Sequence, residues 1–177
     1  GLEIIDNVPD AYKVYLRKDT IDMFKNLGVL TPAETEARYE VLNETYVKKL
    51  QIEARVIGDI CLNHVIPAAV SYQNLLIKNI QGGKEVFGDE YKELCKSDME
   101  TFKKIAGFVN ALSKDVEALV EARKKANKIE DMAKRAKLYS TEVMAMMKKV
   151  RYSADHLEML IDDELWPMPK YRELLFF

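Results

Sequence analysis

The stretch of sequence that decides the fold is residues 102–119, FKKIAGFVNALSKDVEAL. Its larger apolar residues recur at alternating steps of three and four: Phe102, Ile105, Val109, Leu112, Val116 and Leu119. An α-helix turns once every 3.6 residues, so this spacing places the six side chains along one face. The stretch therefore predicts a long amphipathic helix, from about Asp89 to Ala126, with an apolar face that packs against another helix.

The same spacing returns after a polar turn at residues 127–130. A further helix is predicted from about Asp131 to Asp162, with these apolar positions: Met132, Ala136, Tyr139, Val143, Met146, Val150, Leu157 and Leu160. Two such helices joined by a short turn are typical of an antiparallel pair that packs at a shallow angle.

Upstream, Thr31-Pro32-Ala33-Glu34 has the pattern of a capping box with proline at the first helical position. A helix is predicted from there to about Asn79, with a kink one turn before Pro67. A shorter helix precedes it, from about Asp19 to Leu27, and Gly28 is placed to end that helix. The glycines at 82, 83 and 88 predict a loop.

The predicted fold is all-α, an elongated antiparallel bundle of three to four long helices with short flanking helices. Of the 177 residues, 48% are hydrophobic and 32% charged, and no segment alternates with a period of two. Residues 1–30 are expected to form an N-terminal segment with one short helix, irregular over 1–18, and residues 31–177 a single bundle domain that includes a docking tail. Because the chain starts with Gly1 rather than Met, we expect it to be a fragment of a longer protein.

The composition also narrows the classes of partner. A formal net charge of −2 implies neither a nucleic acid nor a membrane surface as partner. No apolar run approaches the ~18–20 residues of a membrane span. Cys61 and Cys95 do not form a CxxC pair, and a chain of this size needs no disulfide, so we expect a reducing, cytoplasmic setting.

Two groups of residues are candidates for interaction. The segment from Arg123 to Lys137, which begins with Arg123, Lys124 and Lys125, is basic and could meet phosphate or an acidic protein surface, although a solvated helical turn is the preferred interpretation. The second group is the set of tail aromatics: Trp166, Tyr171, Phe176 and Phe177. Aromatic side chains are costly to leave in water, so we expect these four to dock onto the bundle or onto another subunit.

No residue has the pattern of a catalytic, cofactor-binding or metal site. His64 lacks the paired Glu-x-x-His elements of metal-binding bundles, and is interpreted as a hydrogen-bonded or partly exposed histidine. His156 precedes the acidic run Asp162-Asp163-Glu164, for which a solvated helix end or salt bridges to Arg151 and Arg172 are preferred over a cation site. Nucleophile elbows and phosphate-binding glycine loops do not occur.

Two groups of motifs resemble a known family. The first contains QIEAR (51–55) and NHVIPAA (63–69); the second contains RYSAD (151–155), LIDDELWP (160–167) and KYRELLF (170–176). In their order and spacing, both resemble the C-terminal region of type III glutamine synthetases, the large-subunit class of that enzyme, over most of residues 8–177. The closing DDELWP…KYRELLF is the most specific part.

The resemblance implies a parent enzyme of nitrogen metabolism and glutamine biosynthesis, a ligase that joins ammonia to glutamate with ATP and Mg or Mn. The catalytic domains of the family lie upstream, so no catalytic residue is transferred to this chain. The implied role is non-catalytic, either structural and oligomer-supporting or regulatory. The implied partners are the upstream catalytic domain of the same chain and other subunits of a homo-oligomer. The alternatives are a free-standing helical adaptor that binds a protein partner and, less favoured, a metal-binding bundle enzyme.

Overall fold

The computed structural model describes residues 4–170 and 172–175. The fold is 85% helical, and the described residues contain no strand, which confirms the all-α class. The α-helices are α1 (Val8–Tyr12), α2 (Lys18–Asn26), α3 (Pro32–Ile60), α4 (Ile66–Phe87), α5 (Tyr91–Leu94), α6 (Lys96–Asn127), α7 (Met132–Leu138) and α8 (Met144–Leu160). Short 3₁₀ turns lie at Lys13–Leu16, Gly88–Glu90 and Glu173–Leu175, and π-helical turns at Cys61–Val65 and Tyr139–Val143.

The chain divides into two compact units. Unit 1 contains Gly1–Arg55 and Leu119–Met147, and unit 2 contains Val56–Ala118 and Lys148–Phe177. The predicted apolar stripe of α6 is largely buried: Ile105, Leu112, Val116 and Leu119 are at most 2% exposed. Tyr139, Val143, Val150 and Leu157, from the stripe predicted for residues 131–162, are also fully buried. The heptad-like spacing therefore identified much of the core that residues 102–160 contribute.

The prediction that residues 1–18 are irregular is wrong for the described part of this segment. Asn7 caps α1, since its Oδ1 accepts a hydrogen bond from the Asp10 N–H at 3.0 Å. Pro9 lies in the first turn of α1, where its missing N–H removes no helical hydrogen bond. The proline therefore starts a helix here rather than preventing one.

The start of α3 and its predicted break are both confirmed. The Thr31 N–H donates to Glu34 Oε2 at 2.7 Å, and the Glu34 N–H donates to Thr31 Oγ1 at 3.3 Å, which is the reciprocal pattern of a capping box. One turn before Pro67, the α-helical pattern changes to the π-helical turn Cys61–Val65. Proline has no N–H to donate to the carbonyl four residues earlier, so the helix is interrupted at that point.

The loop predicted around residues 81–88 is wrong. Helix α4 continues through Gly82 and Gly83 to Phe87, and only Gly88, with φ 57°, ends it. A β-carbon on Gly83 would lie 2.6 Å from Cys95 Sγ. Gly83 therefore allows two chain segments to approach closely within unit 2, and it forms no turn.

The stretch Pro32–Leu94 is long and apolar enough to cross a membrane by length and composition alone, which the sequence analysis did not anticipate. Only 28% of its most apolar window is buried. A helix whose exposed side packs against another protein surface can be as apolar as a membrane-spanning helix. The exposed apolar residues of this stretch therefore need an explanation.

Candidate docking sites

The tail after α8 is fastened to the end of that helix by Asp163. The carboxylate of Asp163 pairs with Lys170 Nζ at 2.5 Å and with the Arg172 guanidinium. Lys170 Nζ also donates to the Ile161 carbonyl at 3.0 Å, and the Lys170 side chain is only 12% exposed. The predicted pairing of the acidic run with Arg172 is confirmed, whereas Arg151 pairs with Asp155 instead. Asp163 therefore holds the tail at the end of α8 through two ion pairs. We refer to Asp163, Lys170 and Arg172 together as the clasp.

Trp166 lies inside unit 2. Its side chain is 8% exposed, and its backbone N–H donates to the Asp162 carbonyl at 3.0 Å. The indole is thus covered within its own unit. Tyr171, Phe176 and Phe177, the other predicted docking aromatics, lie outside the described residues.

Two of the predicted basic residues are paired within unit 1. Lys124 Nζ donates to Glu121 Oε1 at 2.8 Å, and Lys125 Nζ lies 2.9 Å from both carboxylate oxygens of Glu142. The pair between Lys125 and Glu142 joins α6 to the π-helical turn that follows α7. Much of the positive charge of this segment is therefore matched locally.

Arg123 differs from its two basic neighbours. Its Nη1 atom is buried and has no hydrogen-bond partner in the described part of the chain. The guanidinium lies near Tyr139, whose hydroxyl donates to Asn127 Oδ1 at 2.8 Å. Burial raises the pKa of Tyr139, and the positive charge of Arg123 opposes that rise. A buried donor without an acceptor is destabilising, so Arg123, unlike Lys124 and Lys125, has a hydrogen-bonding group that the described residues leave unsatisfied.

The sequence analysis missed an aromatic cluster around His156. The His156 ring stacks on Phe108 with centroids 4.9 Å apart and lies 4.2 Å from the ring of Tyr152. A neighbouring cavity of about 440 Å³ is lined by Phe108, Ala111, Asp115, Lys148, Lys149, Tyr152 and Ser153. The spacing of four between Tyr152 and His156 was a signal for their contact, but nothing in the sequence indicated the distant Phe108.

The described residues do not fit a catalytic or metal centre. Over residues 4–170 and 172–175, no three His, Cys, Asp or Glu side chains come together in a way that could hold a metal ion. Burial raises the pKa of Cys61 to about 11, so its thiol stays protonated and unreactive at neutral pH. His64 is exposed.

Comparison with known proteins shows where similar sequences occur. The family described as "Glutamine synthetase C-terminal domain" matches residues 1–84. The chain is 42% identical to a glutamine synthetase of Bacteroides fragilis over 177 residues, 99% of this chain and 24% of the relative. It is 28% identical to a type-3 glutamine synthetase of Dictyostelium discoideum and 28% identical to a glutamine synthetase of Butyrivibrio fibrisolvens, again over 99% of this chain.

These matches define the class of protein first: the chain is similar to one helical region of larger enzymes, and it spans only 24–25% of the length of the curated relatives it matches. The resemblance found in the sequence motifs is confirmed. Residues 1–84 match the C-terminal domain of glutamine synthetases, and the whole chain is similar to the C-terminal region of such enzymes, a type-3 member among them.

Proposed function

We propose that this chain is a non-catalytic C-terminal helical domain that supports the assembly of a type III glutamine synthetase. The observation that carries the proposal is the coverage of the matches. Similarity to the Bacteroides fragilis enzyme extends over 99% of this chain but over only 24% of that enzyme. About three quarters of such an enzyme lies outside the matched region and is available for the chemistry.

The parent protein in this proposal joins ammonia to glutamate and uses ATP and Mg or Mn. Its partners for this domain are the upstream catalytic region of the same chain and other subunits of a cytoplasmic homo-oligomer. This division of roles is supported by the name of the relatives, glutamine synthetase, and by the large share of their length that lies outside the matched region.

Within each unit, we propose that the long helices pack as antiparallel neighbours. Contacts across the turn between α6 and α7 support this arrangement. Tyr139 hydrogen-bonds to Asn127, Lys125 pairs with Glu142, and Arg135 Nε donates to the Ile129 carbonyl at 2.7 Å. A chain that makes such contacts returns alongside the helix it has just left.

A deletion in the full-length gene product tests the proposed function. Glutamine formation from glutamate, ammonia and ATP is measured together with the mass of the assembly in solution, with and without these 177 residues. The expected result is an active, oligomeric full-length protein that loses subunits when the region is deleted. The purified region alone should form no glutamine.

Two results would contradict the proposal in different ways. A full-length protein that forms no glutamine would favour a helical adaptor over a domain of a ligase. A deletion that leaves both the assembly mass and the turnover unchanged would remove the structural role while retaining the family assignment.

A further inference from the structure

Helix α4 and the π-helical turn before it carry a line of apolar side chains that the described residues leave uncovered. Leu62, Val70 and Ile77 are 46%, 43% and 40% exposed, and Ile66 between them is half-buried. Successive members are four, four and seven residues apart, which places them along one side of the helix. We refer to these four residues as the α4 flank.

The α4 flank is distinct from the side of α4 that packs inside unit 2. Val65, Ala69 and Leu76 on that other side are at most 8% exposed. The close approach of Gly83 to Cys95 falls on the same side as Leu76, seven residues earlier. Gln73 Nε2 donates to the Phe102 carbonyl at 3.3 Å and marks the edge at which the flank meets α6. At about 100° per residue, Val70 and Ile77 are turned away from Ala69 and Leu76 by roughly a quarter turn.

The surroundings of the α4 flank favour a protein partner over a lipid one. Exposed polar side chains lie next to it, among them Asn63, Ser71, Asn74 and Lys78. A helix that crosses a membrane is apolar on all sides facing lipid, whereas an apolar centre with a polar rim is typical of a protein interface. Apolar residues in a continuous line also differ from the scattered surface apolar residues of ordinary soluble domains.

The comparisons favour one occupant for this surface. All four residues fall within positions 1–84, the part of the chain that matches the family as a whole. Every member of an enzyme family also contains the rest of the same enzyme, so that region is always available as a partner. In the relatives it makes up about three quarters of the length. We infer that the α4 flank is the surface on which the catalytic region of the same polypeptide docks, an inference that rests on the proposed function.

Cysteine accessibility in the full-length enzyme tests this inference. Val70→Cys and Ile77→Cys place a thiol on the α4 flank, and Leu75→Cys is the matched control. Leu75 is 51% exposed on the same helix but lies on roughly the opposite side. In the native enzyme, N-ethylmaleimide should modify positions 70 and 77 at least about ten-fold more slowly than position 75, because docking excludes the reagent. Peptide mass spectrometry gives the rate at each position, and the buried Cys61 serves as an internal reference.

Equal modification rates at the three positions would overturn the inference. A photo-crosslinking residue at position 70, in assemblies of isotopically labelled and unlabelled subunits, then identifies the occupant. Crosslinks to catalytic-region peptides of the same isotopic composition support docking within one polypeptide. Crosslinks between differently labelled subunits, or flotation with phosphatidylcholine–phosphatidylglycerol vesicles that Val70→Asp abolishes, would overturn it in favour of a second copy or a membrane.

The glutamine assay on the same preparations keeps the two proposals separate. Slow modification at positions 70 and 77 without glutamine formation would leave a docking surface but contradict the proposed function. Glutamine formation with rapid modification at all three positions would retain the proposed function and contradict only the docking surface.

Discussion

Gly83 and Cys95 lie so close together that a β-carbon on Gly83 would be 2.6 Å from Cys95 Sγ, whereas a β-carbon on the adjacent Gly82 would meet no atom within 4 Å. Both glycines are in α4, and alanine is the better helix former at both positions. We expect Gly82→Ala to raise the free energy of unfolding by about 0.5–1 kcal/mol. Gly83→Ala should lower it by about 1–3 kcal/mol, because the buried thiol must shift. Thermal or urea unfolding measures both changes.

The thiol can be removed to test this explanation directly. In a chain that already carries Cys95→Ala, the Gly83→Ala change should become much less destabilising, since the atom it meets is absent. If Gly83→Ala costs the same with and without the thiol, a contact other than the one with Cys95 limits this position.

Local rules were sufficient to predict much of the fold. The steps of three and four identified Ile105, Leu112 and Val150 as core residues, and all three are fully buried. A capping box depends only on hydrogen bonds within one helical turn. The pairing of Thr31 with Glu34 could therefore be predicted from a pattern of four residues. The effect of Pro67 is local in the same way, because it removes a single helical hydrogen bond.

Features that depend on distant neighbours were not predictable from the sequence. The pair Gly82-Gly83 suggests a loop in the sequence, and the requirement for glycine at position 83 becomes visible only when Cys95, on another segment, is placed beside it. Val56 continues the apolar pattern of α3 but is 50% exposed, because periodicity does not show which side of a helix its neighbours cover. The stacking of Phe108 on His156 likewise joins residues far apart in the chain.

The clasp at Asp163 makes a prediction about the tail. Lys170→Met removes an ammonium that contacts both the Asp163 carboxylate and the Ile161 carbonyl, and its side chain is only 12% exposed. We expect a loss of about 1–2 kcal/mol in the free energy of unfolding, together with faster proteolysis after α8. Arg172→Ala, at a side chain that is 65% exposed, should cost less than about 1 kcal/mol.

Lys92→Ala is a matched control for the clasp. Lys92 pairs with Asp89 at 3.8 Å, and both side chains are highly exposed, so its removal should leave unfolding and proteolysis nearly unchanged. Equal effects of Lys92→Ala and Lys170→Met would show that the clasp does not hold the tail.

The lowered pKa of Asp10 predicts that the chain loses stability in acid, because the Asp10 carboxylate in α1 pairs with Lys137 in α7. Hydrogen bonds from Lys13, Lys137 and Asn7 hold the pKa of Asp10 far below its ordinary value of 3.8. A carboxyl group with a lowered pKa in the folded state contributes stability above its unfolded pKa, and this contribution is lost as the pH falls through the folded value. Asp10→Asn should therefore lower the melting temperature at pH 7 and have a diminishing effect as the pH falls below 4.

The measurement is a series of melting temperatures between pH 7 and pH 2 for the wild-type chain and the variant. Asp89→Asn provides the control, because Asp89 is fully exposed and, among the described residues, forms an ion pair only with Lys92, at 3.8 Å. A difference between wild type and Asp10→Asn that stays constant over this pH range would mean that the charge of Asp10 contributes nothing to stability.

A substitution at Arg123 can distinguish a role in assembly from a role in folding. Its buried Nη1 atom has no acceptor among the described residues, so Arg123→Met removes an unsatisfied donor and keeps most of the side-chain volume. We expect the free energy of unfolding of the 177-residue chain to change by less than about 1 kcal/mol.

If a carboxylate of another subunit or of the catalytic region pairs with Arg123 in the full-length assembly, the same variant should weaken that assembly, because it leaves the carboxylate unpaired. Lys124→Met, which removes only an exposed pair with Glu121, should change neither quantity. Dissociation of the assembly measured by mass photometry against protein concentration distinguishes the cases: an assembly that is equally stable with Arg123→Met and Lys124→Met would exclude Arg123 as a docking residue.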